Sequence, residues 1–331
     1  MERFALAAAV VLGFALTAAL CSLFVPLRRV LERREQQQQL VQSEQPRPAP
    51  LRAPLWGGLC AAAGTVAAVG VGWLAACVGQ PELLGSEGRL MTRLLTALAG
   101  SLAFGAVGLA EDVARMRSPA ALGLRRDLRL LLEALAAAFV LLLLRAAGCL
   151  PRGLGVPGAG YVLLGSAVPF LWAVLMVALA ECARIAERDE GAVCGAAFVA
   201  MLALMMVEAG LGVSGLAVLP AALAGALVAL GLWAFPPARL GAGCCGSLLA
   251  AGAIGCIPLS LDMTSLTVPL ALPFWAAGGL LAAQLLCAKH TGKPLRCWVK
   301  KHKMSPETVF LCSFALSAVG YVLALALLRW C

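Results

Sequence analysis

Histidine and charged residues are scarce in this sequence, and their scarcity excludes several classes of protein. Among 331 residues there are two histidines, His290 and His302, which are too few for a histidine-based metal site. Charged residues make up 13% of the chain and hydrophobic residues 62%, whereas an ordinary soluble domain is about 25% charged. Together with a mean hydropathy of +0.92, this composition indicates a polytopic membrane protein.

Metal-ligand and disulfide spacings are also missing, although the chain contains thirteen cysteines. The cysteines are scattered, mostly inside apolar runs, and they show neither the paired spacing of a zinc site nor a disulfide framework. We therefore predict that they serve as small hydrophobic side chains.

A helix needs about 20 apolar residues to cross the hydrocarbon core of a bilayer. The candidate runs are residues 4–27, 55–78, 90–110, 128–148, 161–180, 191–209, 216–235, 247–260, 266–288 and 308–328. The eighth run, 247–260, is short, which indicates either a tilted helix or one packed inside the bundle and away from lipid. The predicted fold is all-α: a single ten-span membrane domain over residues 1–331, with a cytoplasmic cleft.

Positive residues are distributed unequally between the two sides of the predicted bundle. The alternate loops that carry 20 of the 26 lysines and arginines are 28–54, 111–129, 181–190, 236–246 and 289–307. By the positive-inside rule these loops are cytoplasmic and both termini lie outside. The excess positive charge then reflects membrane topology, so a nucleic acid is not a predicted partner. The loop 28–54 is predicted to be a polar helix followed by a flexible linker.

An acidic pair, Glu111 and Asp112, stands where the third apolar run ends and a basic loop begins. Carboxylates at that depth are costly unless they meet a cation, a partner or water. Two interpretations fit the residues alone. The pair belongs either to a solvated ion-pair cluster with Arg115 and Arg117 or to a site that uses the carboxylates in chemistry.

The segment 181–191 is the most charged stretch of the chain. In helical form, its charged residues at i,i+3 spacing would lie side by side, namely Glu181, Arg184, Glu187 and Glu190. The same pattern is typical of a salt-bridged helix end. The last basic loop, 289–307, is itself typical of positive-inside topology with affinity for anionic lipid.

Acidic groups beside a basic cleft at the membrane face suit a reaction between a phosphate-bearing soluble donor and a phosphate-bearing lipid. Carboxylates would hold Mg²⁺, and the metal would neutralise a bridging diphosphate. Arginine and lysine side chains would hold phosphate oxygens.

Six short motifs stand in the order expected for one known family. They are Ala53–Gly58, Glu111-Asp112, Gly123-Leu124 with Arg129 and Glu133, Glu181–Gly191, Pro237–Arg239 with Gly243–Leu248, and Thr291–Lys293 with Pro306–Thr308. On these motifs, residues 50–328 resemble the polyprenyl-phosphate N-acetylhexosamine-1-phosphate transferases, which are of the glycosyltransferase family 4 type. Within that family the chain is most similar to the bacterial phospho-N-acetylmuramoyl-pentapeptide transferases.

The resemblance implies a fold, a reaction and a cellular location. The fold would have ten spans, and the reaction would move a phospho-sugar, of the phospho-MurNAc-pentapeptide type, from a UDP-sugar to undecaprenyl phosphate with Mg²⁺ as cofactor. The place would be the cytoplasmic face of a bacterial-type plasma (inner) membrane, in peptidoglycan biosynthesis for the cell wall. Relatives in the family also imply a homodimer.

The resemblance also implies roles for individual residues. Glu111, Asp112 and Glu187 would be catalytic, and Glu111 and Asp112 would also lie on the metal side of the site. The residues implied in substrate binding are Arg129, Arg184, Glu190, Lys293 and His302.

Several positions depart from the family pattern in ways that impair this chemistry. The metal-binding aspartate is replaced by Cys244, and a thiol is a poor ligand for Mg²⁺, which prefers hard oxygen donors. A family asparagine is replaced by Arg184, three aspartates are replaced by longer glutamates, and the histidine triplet is missing. Because a displacement of about 1 Å in such a site can cost about 10²-fold in rate, we expect an impaired active site.

Three hypotheses about function follow from these departures. The chain is an impaired phospho-sugar transferase, a pseudoenzyme that binds polyprenyl phosphate or a nucleotide, or a scaffold that contacts other proteins of cell-wall synthesis. In the second hypothesis, Arg184 replaces the missing metal charge and pairs with Glu187 and Glu181 when the site is empty. A transporter is less favoured, because the spans show no paired inverted repeats with broken helices.

Overall fold

The computed structural model describes residues 2–42, 56–79, 88–117, 123–151, 153–156, 160–163, 165, 167–187, 191–213, 215–235, 239–291 and 306–330. Within these ranges the helices are α1 (Glu2–Gln42), α2 (Gly57–Gly79), α3 (Gly88–Arg117), α4 (Arg126–Ala146), α5 (Ala167–Ala186), α6 (Ala192–Gly210), α7 (Val218–Ala234), α8 (Gly243–Ser260), α9 (Thr267–Leu270), α10 (Leu272–Thr291) and α11 (Pro306–Trp330). A 3₁₀ turn, Thr264–Leu266, precedes α9.

Helix α8 lies at the centre of the bundle. All of its residues are buried, and it packs most extensively against α3, with further contacts to α2 and α5. Of the two alternatives for the short eighth run, a tilted helix or one packed inside the bundle, the structure shows the helix packed inside. The helix is longer than predicted, since it begins at Gly243 instead of residue 247.

Glycines on neighbouring helices allow this close packing. A Cβ atom on Gly58 of α2 or on Gly108 of α3 would collide with backbone atoms in the first turn of α8. Small residues at helix interfaces let membrane helices approach to backbone contact. Both α2 and α3 therefore lie against the start of α8.

Seven helices in the described part of the chain are long and apolar enough to cross a membrane. They lie within α1, α2, α3, α5, α6, α8 and α11. Helix α7, at 17 residues, is shorter than these seven helices, and the predicted span 266–288 is a pair of helices bent by 64°. The protein is thus an α-helical membrane protein, while the predicted count of ten spans is not confirmed.

The predicted span 161–180 was wrong at its start. Residues Gly153–Val156 (β1) and Gly160–Leu163 (β2) form an antiparallel hairpin, with Gly153 opposite Leu163, and α5 begins only at Ala167. Glycines and prolines between 151 and 160 favour turns over helix. The apolar composition of the segment alone did not reveal this difference.

Three helices continue beyond their predicted apolar ends. Helix α1 runs on to Gln42, in agreement with the predicted polar helix, while the linker that follows lies outside the described residues. Helix α3 continues to Arg117 and α5 to Ala186. The predicted loops 111–129 and 181–190 therefore begin too early, and Glu111, Asp112, Glu181 and Arg184 lie on helix ends.

Candidate functional site

The first turn of α8 is capped by a side chain from another helix. Backbone N–H groups at the start of a helix have no partner within the helix, and α8 has no capping side chain of its own at Ala242. Asp112 of α3 supplies one: its Oδ1 accepts a hydrogen bond from the Cys244 N–H at 3.0 Å, and its Oδ2 accepts one from the Cys245 N–H at 2.8 Å. The Asp112 side chain is fully buried. Its negative charge also complements the positive end of the helix dipole.

Arg115 connects α3 to the end of α5. Its guanidinium donates to Glu111 Oε1 at 2.8 Å, one helical turn back, and to Glu187 Oε2 at 3.2 Å. The Cys244 thiol donates to the same Glu187 oxygen at 3.5 Å. Cys244, for which the resemblance implied a metal-binding aspartate, therefore contacts a carboxylate that is already paired with an arginine.

A second group of ion pairs joins α4 to α5. Glu181 accepts a hydrogen bond from Arg129 Nε at 2.7 Å on one carboxylate oxygen and from an Arg184 terminal nitrogen at 2.7 Å on the other. Arg129 also lies 3.7 Å from Glu111 Oε1. The two groups therefore form one continuous set of contacts, which we call the arginine–glutamate network: Glu111, Arg115, Arg129, Glu181, Arg184 and Glu187.

Charge is balanced within this network, because three arginines face three glutamates. The side chains of Arg129 and Glu111 are almost completely buried, whereas that of Glu181 is 24% exposed. A buried charge that lost its partner would be costly, which explains why each charged group contacts an opposite charge. The network is most open to solvent at Glu181 and Arg115.

The backbone conformation at Gly123 explains why the Gly-Leu motif has a glycine at this position. Its φ of +70° is a conformation that favours glycine, and a Cβ atom there would crowd the Arg115 side chain and approach that of Glu111. The chain that leads into α4 thus passes directly over the ion pair formed by these two residues.

Glu133 is a buried acid for which the sequence gave no specific role. It lies on α4 one turn after Arg129, is 0% exposed, and neither carboxylate oxygen has a hydrogen-bond partner. Residues four apart on a helix share a face, so Glu133 lies on the same side of α4 as Arg129. Burial of an ionisable side chain is not visible in the sequence, which is why composition alone did not single out Glu133.

Some of the side chains that were predicted to converge at one site lie together in the structure. The structure brings together Glu111, Asp112, Arg129, Arg184, Glu187 and Cys244, whereas Glu190, Lys293 and His302 lie outside the described residues. Arg184 was predicted to pair with both Glu187 and Glu181, but it forms its ion pair with Glu181, and Glu187 pairs with Arg115. The reason is that Glu187 is held by Arg115 of α3 and by the Cys244 thiol of α8, both from other helices.

The residues of this site do not suit Mg²⁺. The described part of the chain contains no group of three or more histidine, cysteine, aspartate or glutamate residues placed to hold a metal ion. Both oxygens of Asp112 are used in capping α8, Glu187 is paired with Arg115, and Cys244 offers a soft sulfur. Mg²⁺ requires several hard oxygen ligands in near-octahedral geometry.

Comparison with known proteins identifies the family of this chain. The sequence model of the family described as Glycosyl transferase family 4 matches residues 94–262, slightly more than half of the chain. The matched region runs from α3 to the end of α8 and includes every residue of the arginine–glutamate network. No curated protein gave a significant match. The chain belongs to glycosyl transferase family 4.

Proposed function

We propose that this protein is a divergent membrane phospho-sugar transferase whose transfer activity is strongly impaired and whose site still binds a phosphate-bearing ligand. The family supplies the general class of reaction, a membrane phospho-sugar transfer. The observation that carries the proposal is the arginine–glutamate network, which stands where the family resemblance implied a metal-dependent centre.

The contacts of the acidic residues support the impairment. Transfer in this family would need carboxylates that are free to bind a metal ion or to accept a proton. Here Glu187 contacts Arg115 and the Cys244 thiol, and Asp112 caps α8. These groups serve as structural partners of arginines and backbone amides in the protein as it stands.

Binding is supported by the three arginines. Guanidinium groups form strong, directional hydrogen bonds to phosphate oxygens, and each arginine of the network here contacts a carboxylate that a phosphate would resemble. A phosphate-bearing ligand would exchange with a glutamate, without a metal. Undecaprenyl phosphate as that ligand, phospho-MurNAc-pentapeptide as the ancestral transferred group, and the cytoplasmic face of the plasma membrane as the location are parts of the same proposal.

A transfer assay tests this proposal. Purified protein in detergent is incubated with radiolabelled UDP-sugar, undecaprenyl phosphate and Mg²⁺, beside an active family member as a positive control. We expect product formation to be at least about 10²-fold slower than in the control, because several site groups are displaced or replaced. Turnover close to that of the control, lost on Glu187→Gln without loss of stability, would show that the site is an active transferase centre.

A further inference from the structure

Helices α1 and α2 pack antiparallel along a line of close approach, and one cysteine from each helix lies on that line. The residue pairs that face each other along it are Gly72 with Ala9, Gly64 with Thr17, and Trp56 with Phe24. From one pair to the next, the residue number falls on the α2 side by as much as it rises on α1, to within one residue. In this register Cys60 lies opposite Cys21, between the second pair and the third.

The two thiols interact with each other, and both are buried. Cys21 is 0% exposed and Cys60 is 2% exposed, and both are free thiols in this structure. One turn away, a Cβ atom on Gly64 would collide with the Thr17 hydroxyl and lie 3.1 Å from the Thr17 backbone nitrogen. The backbones of α1 and α2 are therefore very close at this level. A disulfide needs such an approach, because it joins residues whose Cα atoms are about 4.4 to 6.8 Å apart.

A pair of thiols suits a disulfide better than a metal ion. Structural Zn²⁺ takes four ligands, and the described ranges hold no group of three or more histidine, cysteine, aspartate or glutamate residues placed for a metal. Buried cysteines most often serve as small, inert hydrophobic side chains. Cys256 of α8 is such a cysteine, since it is 1% exposed and packs against Gly100 of α3. Cys21 and Cys60 differ from it because each thiol has the other as its neighbour.

We propose that Cys21 and Cys60 are an oxidisable pair, which a hydroperoxide converts to a disulfide that fastens α1 to α2. This modification site lies outside the arginine–glutamate network and does not depend on the proposed function. The class of oxidant follows from burial. A small, uncharged hydroperoxide can enter a helix bundle, whereas oxidised glutathione is too large and too highly charged to reach two buried thiols.

The reaction takes two steps that balance in atoms and electrons. Cys60 lies in the first turn of α2, where the positive end of the helix dipole stabilises a thiolate. The Cys60 sulfur attacks one peroxide oxygen and the O–O bond breaks. The departing oxygen takes the thiol proton, which leaves a sulfenic acid and an alcohol or water. The Cys21 sulfur then attacks the Cys60 sulfur, the S–O bond breaks, and the hydroxyl group leaves as water with the Cys21 proton. The two sulfurs together lose two electrons, and the hydroperoxide gains them.

The disulfide would form beside the candidate functional site. The Gly57 N–H donates to the Gly241 carbonyl at 3.2 Å, and Gly58 packs against the first turn of α8. That turn carries the N–H groups capped by Asp112. Cys60 follows Gly58 by two residues, so a disulfide would fasten α1 to the end of α2 that supports this cap. Because a disulfide restricts the unfolded chain, the oxidised form should also be more stable.

Oxidation of the purified full-length protein in detergent tests this inference. Fully reduced protein is treated with hydrogen peroxide or with oxidised glutathione, the remaining thiols are blocked with N-ethylmaleimide, and the peptides are mapped by mass spectrometry without reduction. We expect hydrogen peroxide to link the peptides of Cys21 and Cys60, and oxidised glutathione to leave both thiols free. The melting temperature of the peroxide-treated protein should rise by roughly 5 °C, and dithiothreitol should return it to its starting value.

Three variants control for oxidation elsewhere in the chain. Cys21→Ala and Cys60→Ala should each lose the link and the rise in melting temperature, measured against the same variant in its reduced form. Cys256→Ala, which removes an equally buried thiol, should keep both. Exposed Cys312 reports the dose, because peroxide reaches it directly.

The results that overturn the inference are equally specific. If Cys21 and Cys60 stay free when Cys312 is fully oxidised, the pair is an inert part of the core. A Cys60 sulfenic acid without a link, or a link from Cys60 to Cys245, means that Cys21 is not its partner. A link without a rise in melting temperature means that the disulfide does not fasten the helices, and a rise that persists in Cys21→Ala has another source.

Discussion

Replacement of Asp112 by alanine is expected to lower the free energy of unfolding by about 3 kcal/mol or more, because two buried N–H groups at the start of α8 lose their acceptor. The two hydrogen bonds from Cys244 and Cys245 are made by one fully buried carboxylate. Asp112→Asn should lie between the wild type and the alanine variant, since an amide keeps one acceptor but turns a donor toward the other N–H. Thermal unfolding in detergent measures the differences.

Asp127 provides the matched control for this substitution. It lies in the first turn of α4 and is exposed to solvent, so Asp127→Ala should cost no more than about 1 kcal/mol. If Asp112→Ala were as stable as Asp127→Ala, the cap would be unimportant and Asp112 would be free for another role. The experiment therefore separates a structural carboxylate from one held ready for a metal or a substrate.

Replacement of Arg115 by glutamine is expected to cost about 2 to 4 kcal/mol, somewhat less than the loss of a partner from a fully buried ion pair, because Arg115 is partly exposed. Its side chain is 22% exposed and contacts both Glu111 and Glu187. Without it, Glu187 keeps only the weak hydrogen bond from the Cys244 thiol. Arg117→Gln, at an exposed position on the same helix end, should leave the free energy of unfolding within about 0.5 kcal/mol of the wild type.

A double variant tests whether the loss has this electrostatic cause. In Arg115→Gln with Glu187→Gln, the carboxylate that lost its partner is also neutral. The double variant should therefore be more stable than Arg115→Gln alone, and the coupling should be about 1 kcal/mol or more in a double-mutant cycle. Additive losses would mean that Arg115 and Glu187 do not depend on each other.

The gathering of charged residues at one end of the bundle was predictable from the sequence, because they stand at the ends of alternate apolar runs. Glu111, Arg129 and Arg184 do lie within one set of contacts. Their individual partners were not predictable. Arg184 pairs with Glu181 while Arg115 of another helix pairs with Glu187, and a contact between helices cannot be read from the spacing of residues within one segment.

The role of Asp112 could not be predicted for a different reason. Its partners are backbone N–H groups more than 130 residues away along the chain, and a backbone group leaves no mark in a pattern of side chains. Burial is equally invisible in the sequence: Glu133 is surrounded by leucines and alanines there, as a lipid-facing residue would be. The hairpin of β1 and β2 was missed because apolar strands and apolar helices have the same composition.

The central claim is that the site is an arginine–glutamate network and not a metal centre, and thermal unfolding with Mg²⁺ tests it most directly. A ligand that binds only the folded protein stabilises it by about 2.7 kcal/mol at 100 times its dissociation constant. At matched ionic strength, millimolar Mg²⁺ should leave the melting temperature of the wild type unchanged from its value in EDTA. Cys244→Asp, which returns a hard oxygen ligand beside Glu187, should gain a response to Mg²⁺. A rise in the melting temperature of the wild type with Mg²⁺, abolished by Glu187→Gln, would contradict the claim.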